Sequence, residues 1–138
     1  MFVDWRITFE HVHDADYKKN LKQLIDDFAD HPAVIGFCLG DEPGEDRMND
    51  AIEAILTFKE MCKTKIPFLN HLPWVPWSVE DDPLLLAANR ENYKDLVVDF
   101  INRSGIKYWG YDCYLQFQGR KPEDKWIDAY FKNSFNSC

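Results

Sequence analysis

Hydrophobic positions along the chain switch between two periodicities, and the switching predicts repeated strand–helix units. Residues 3–9 are rich in β-branched and aromatic side chains and are expected to form a strand, followed by a polar loop over residues 11–16. Tyr17, Leu21, Leu24, Ile25 and Phe28 then recur at helical spacing. That helix should stop near His31-Pro32, because a residue before proline disfavours the helical region. Residues 33–40 are almost continuously apolar, the pattern of a strand covered on both faces in a parallel sheet. Beyond Asp41-Glu42-Pro43-Gly44, a second helix is marked by Met48, Ile52, Ile55, Leu56 and Cys62. Residues 66–72 form the next expected strand, and residues 73–89 a long loop holding Trp74 and Trp77. Tyr93, Leu96, Val97, Phe100 and Ile101 mark a third helix that stops at Ser104-Gly105. A fourth strand is expected over residues 106–114, and a fourth helix from Pro122 through Trp126, Ile127, Tyr130 and Phe131.

The expected strands start near residues 3, 34, 66 and 106, about one βα unit apart. Such alternation implies a parallel sheet with right-handed crossovers, an α/β fold. No Gly-rich phosphate loop follows any strand, which leaves Rossmann and P-loop architectures without support. A TIM (β/α)8 barrel needs eight strands and roughly 250 residues. Residues 1–138 supply about four parallel βα units, so they read as one partial TIM-barrel domain, with a small open sheet as the alternative.

Charge narrows the partners. A net charge of −8 argues against nucleic acid, which demands clustered Lys and Arg, and against a basic membrane-surface segment. No apolar run approaches a membrane span, so no membrane partner is expected. The opening Met1-Phe2-Val3-Asp4-Trp5-Arg6 lacks the basic and apolar regions of a signal peptide and reads as a strand entered without preamble. Cys38, Cys62, Cys113 and Cys138 contain no C-x-x-C pair, which disfavours a cysteine zinc site; Cys38 and Cys62 read as small buried apolar residues.

In parallel α/β folds, ligands bind at the carboxyl ends of the strands. The four expected ends carry Glu10-His11-Val12-His13, Asp41-Glu42, Asn70-His71 with Trp74 and Trp77 beyond, and Tyr111-Asp112-Cys113-Tyr114. Glu42 is the sharpest candidate. Pro43 is expected to hold it extended, and strand alternation would place it on one face with Gly36, Cys38 and Gly40, pointing into a barrel mouth. Asp41 beside it is a like charge that would favour a protonated acid, as a general acid requires. The plainer alternative is that both carboxylates serve the N-terminus of the following helix. Asn70, His71, Asp112 and Tyr114 are candidates for binding a polar ligand, or are turn-forming strand-end residues. Trp74 and Trp77 could stack on a sugar or simply pack their loop. His11 and His13, alternating at a strand end, could bind a metal, though solvated loop histidines are commoner. Phe2, Trp5 and Phe9 are expected in the core.

The segment His31-Pro32-Ala33-Val34-Ile35-Gly36-Phe37-Cys38-Leu39-Gly40-Asp41-Glu42-Pro43 resembles the fourth-strand motif of retaining (β/α)8 glycoside hydrolases, the clan that includes family 42 β-galactosidases and family 5 cellulases. Asn70-His71-Leu72-Pro73 resembles the end of the fifth strand, Tyr108-Trp109-Gly110-Tyr111-Asp112-Cys113-Tyr114 the sixth, and Tyr130-Phe131-Lys132-Asn133 the helix after it. The similarity spans nearly the whole chain, as strands three to six. It implies that Glu42 is the general acid/base and that the nucleophile Glu, which closes strand seven in the clan, lies beyond Cys138. It implies a carbohydrate substrate and no cofactor, with the isolated chain inactive. The clan commonly has Asn where Asp41 stands; an Asp can accept the hydrogen bond of a sugar hydroxyl but cannot donate as an amide does. Two other functions fit the same residues. One is a non-catalytic carbohydrate-binding barrel. The other is a metal-dependent hydrolase using His11, His13, Asp41 and Asp112.

Overall fold

A computed structural model describes residues 1–71 and 93–111. Trp74, Trp77, Asp112, Tyr114, Cys113, Cys138 and the expected fourth helix lie outside the described residues. Four parallel strands make one sheet in the order β1 (Phe2–Val3), β2 (Gly36–Asp41), β3 (Ile66–His71) and β4 (Gly110–Tyr111). Helices α1 (Tyr17–Phe28), α2 (Met48–Met61) and α3 (Tyr93–Ser104) connect or precede them in the expected alternation. The α/β class and the sequential strand order therefore agree with the sequence pattern.

The core lies between the sheet and the helices. Phe37 and Leu39 of β2 are fully buried, and the Phe37 ring packs 5.4 Å from Phe58 of α2 and 5.5 Å from Phe2. Leu21 and Leu24 of α1, Ile52, Ile55 and Phe58 of α2, and Phe100 of α3 join the same cluster. These helical stripes are close to those expected, except that Phe28 and Leu56 are exposed and Phe58 takes the inward position. Among the described residues no helix is long and apolar enough to cross a membrane.

The N-terminal segment departs from expectation. The strand expected over residues 3–9 ends at Val3, and two short 3-10 turns follow, Trp5–Ile7 and Phe9–His11. The cause is local. The Asp4 carboxylate accepts the Arg6 backbone N–H at 2.9 Å and binds the Arg6 guanidinium at 2.8 Å. This side-chain cap offers the backbone a turn in place of a sheet ladder. Ile7 and Phe9 are buried as expected of strand residues, but from turns, and Trp5 is exposed rather than in the core. His11 and His13 consequently do not alternate on a strand end. His11 pairs with Asp14 at 2.8 Å and His13 with Asp50 at 3.0 Å. Strand β4 likewise starts at Gly110 rather than at residue 106, although Ile106 is buried.

Candidate active site at the carboxyl end of the sheet

The geometry of the site follows from one irregularity between β2 and β3. Cys38 pairs with Phe68, but the next register pair is Asp41 with Asn70, so β2 spends three steps where β3 spends two. This is a β-bulge, a device that bends a strand and re-aims its side chains. Gly40 makes it possible. Its φ of +142° is open only to glycine, and a Cβ there would sit 2.2 Å from the Phe9 ring. Phe9 thus fills the space over the bulge, with the Arg47 guanidinium 5.6 Å from the ring centroid on another side.

The bulge changes which carboxylate shares a face with Cys38. Simple alternation assigns Glu42 to that face; the inserted residue gives it to Asp41 instead. Asp41 and Asn70 are register partners, and the Asn70 Nδ2 donates to Asp41 Oδ1 at 2.9 Å. Glu42 is not held extended by Pro43. Its φ is +45°, the left-handed region that a non-glycine residue enters only under constraint. The constraint is visible: the Glu42 N–H donates to the Asn70 carbonyl at 2.8 Å, and buried Pro43 follows. Asn70 therefore grips both carboxylate residues, Asp41 by its side chain and Glu42 by its backbone.

Strand β4 completes the row. Gly110 is the register partner of Asn70, and a Cβ there would lie 2.5 Å from the Phe68 ring and 3.4 Å from Asn70 Oδ1. A side chain at 110 would displace the aromatic floor of the site, so glycine is required by close approach. Behind Asp41, burial pushes the half-buried Cys38 thiol above its usual range, and the negative charges of Asp41 and Glu10 add to the effect. Glu10, named at the first expected strand end, lies instead in the turn Phe9–His11 that replaces it. Its electrostatic reach to Cys38 puts a further carboxylate near this edge.

His71 goes elsewhere. One step beyond Asn70 on β3, it falls on the opposite, helix-covered face with Leu69. It is 2% exposed, with its ring 4.4 Å from Phe100 and 5.8 Å from Trp109. Burial lowers its pKa to about 4, so the imidazole is neutral at ordinary pH. Its Nε2 and the Trp109 Nε1 are buried with no hydrogen-bond partner among the described residues. A sugar on the Asp41 face would not reach this ring. His11, His13 and Asp41 do not converge either, and among the described residues no group of three His, Cys, Asp or Glu side chains is arranged to hold a metal ion. His13 and Arg47 instead flank Asp50; burial opposes ionisation of that carboxyl, but their two hydrogen bonds outweigh it and leave its pKa lowered.

At the carboxyl end of β2 and β3 the described residues thus assemble Asp41, Glu42 and Asn70, with Phe68 and Gly110 forming the adjacent surface. No protein-family profile, curated protein or solved structure matches the chain.

Proposed function

We propose that this chain is part of a retaining glycoside hydrolase built on a TIM barrel, with Glu42 as general acid/base. The observation that supports this most is the strained, doubly anchored Asp41-Glu42-Pro43 turn at the carboxyl end of a parallel strand, gripped by Asn70 of the next strand. Backbone strain held in place by its surroundings is characteristic of functional sites, and bulges recur beside them. In this reading Glu42 protonates the leaving glycosidic oxygen and then, as a carboxylate, activates the water that hydrolyses the glycosyl-enzyme. Asp41 and Asn70 bind sugar hydroxyls, with Asp41 accepting and the Asn70 amide able to donate and accept. Asp112, Tyr114, Trp74 and Trp77, outside the described residues, are the further candidates for contact with the sugar. The nucleophile Glu belongs to a further strand of the barrel. No cofactor enters the chemistry.

Hydrolysis of aryl glycosides with graded leaving groups by the full-length protein tests the proposal. Glu42→Gln keeps the shape of the side chain and removes the transferable proton. Rates on poor leaving groups should fall by about 10²–10⁴-fold, the usual worth of a general acid, while activated aryl leaving groups lose much less in the first step. Equal loss across the series, or no loss, contradicts the assignment.

A further inference from the structure

A second cavity lies at the opposite end of the sheet. It is an open cleft of about 250 Å³ between the turn that leads into β3 and the turn that leads into β4. Lys59, Lys63, Lys65 and Lys107 line it, and among the described residues no carboxylate does. In a chain of net charge −8 this concentration of positive charge is anomalous. Its floor and walls are apolar, built from Ile66, Pro67, Ile106 and the exposed Tyr108.

Two of the four lysines have evident structural work. Lys59 donates to the Ser104 and Gly105 carbonyls at 3.0 Å each, which satisfies the C-terminal end of α3. Lys65 donates to the Val34 carbonyl at 2.5 Å. The bond to Gly105, itself a lining residue, fixes the Lys59 ammonium at the cavity wall, and an ammonium has three N–H groups, so donors remain on both lysines. Among the described residues, Lys63 and Lys107 have no such duty. Both are exposed, and both line the same cavity. Helix capping therefore explains Lys59 and a bond to the segment before β2 explains Lys65, which leaves two charges over among the described residues.

From this we infer that the cavity binds an organic phosphate monoester. A dianionic head matches the two uncommitted ammonium groups and the spare donors of Lys59 and Lys65. A compact apolar or aromatic body fits against Ile66, Pro67, Ile106 and Tyr108. A monocarboxylate would leave the second charge unmatched. The site is independent of the glycosidase assignment, since it occupies the amino ends of the strands and shares no residue with Asp41, Glu42 or Asn70.

Calorimetric titration of the full chain with phenyl phosphate at low ionic strength is the test, with inorganic phosphate and benzoate titrated alongside. Phenyl phosphate should bind saturably, more tightly than either, and more weakly as salt rises. Lys63→Ala with Lys107→Ala should weaken binding about tenfold or more, since hydrogen bonds to charged groups are the stronger ones, while paired Arg substitutions should retain it. Should the double variant fail to fold, the single variants at these exposed positions give the same reading. Phenyl phosphate should also slow alkylation of Cys62, which lines the cavity. Absence of saturable binding, equal affinity for benzoate, or binding indifferent to both lysines overturns the inference.

Discussion

The two faces of the β2–β3 pair obey different rules. The helix-covered face holds Phe37, Leu39, Leu69 and His71, all buried, and its alternation runs without interruption to the end of β3. The other face holds Cys38, Phe68, Asn70 and Asp41, and its alternation is broken by one inserted residue at the carboxyl end. The unbroken face is where burial dictates register, because a one-residue slip would expose every apolar side chain. The broken face carries the candidate site, and the bulge aims a carboxylate that regular pleating would turn away. The difference separates substitutions that should unfold the protein from those that should disable it.

The largest effect belongs to the helix-covered face. Phe37→Ala removes a fully buried ring that touches both Phe2 and Phe58 and should cost about 3–5 kcal/mol in chemical denaturation. A cost below about 1 kcal/mol would mean that this face is not the organising core.

His71 sharpens the contrast through pH. Its imidazole has a pKa of about 4 in the fold against 6.5 when unperturbed, so the unfolded chain binds the extra proton between these values. Stability is complete above pH 6.5 and is lost as pH falls toward 4, by about 3 kcal/mol across the window. Urea denaturation from pH 7 to pH 4.5 should show this slope, and His71→Gln should flatten it. The described residues that pack on the ring, Phe100 and Trp109, do not titrate and add no slope of their own.

A smaller stability effect is expected at the bulge. Gly40→Ala meets both a φ closed to alanine and the Phe9 ring, for a cost of about 2 kcal/mol. Its loss of activity should exceed what that destabilisation explains, because the substitution re-aims Asp41 and Glu42 together. Activity that merely tracks the folded fraction would show that the bulge is not part of the site.

Much of the fold was legible in the chain because burial wrote it there. The stripes of Tyr17, Leu21 and Leu24 and of Val97 and Phe100 correspond to buried surfaces, as does the apolar run from Gly36 to Gly40, although Ala33 and Ile35 ahead of it are exposed and the strand starts only at Gly36. The carboxyl-edge placement of Asp41, Glu42 and Asn70 followed from strand order alone. The bulge was not legible, because a glycine in a strand does not declare whether it is pleated or at φ +142°. The turn after Val3 was hidden for a related reason. Ile7 and Phe9 alternate as in a strand, and only the Asp4 cap on the Arg6 N–H converts that alternation into turns. His71 followed parity rather than chemistry: one step beyond Asn70 on the strand, it must face the helices, whatever its side chain could bind.

The central claim, that Glu42 is the acid/base and not the nucleophile, is tested most directly by chemical rescue. In the full-length protein, Glu42→Ala should still form the glycosyl-enzyme from an activated aryl glycoside, because that leaving group needs little protonation. Azide, which needs no general base, should then accelerate turnover and yield a glycosyl azide of retained configuration, the product of two displacements. A glycosyl azide of inverted configuration would identify Glu42 as the nucleophile, and a variant unmoved by azide, or as active as the parent, would remove it from the chemistry.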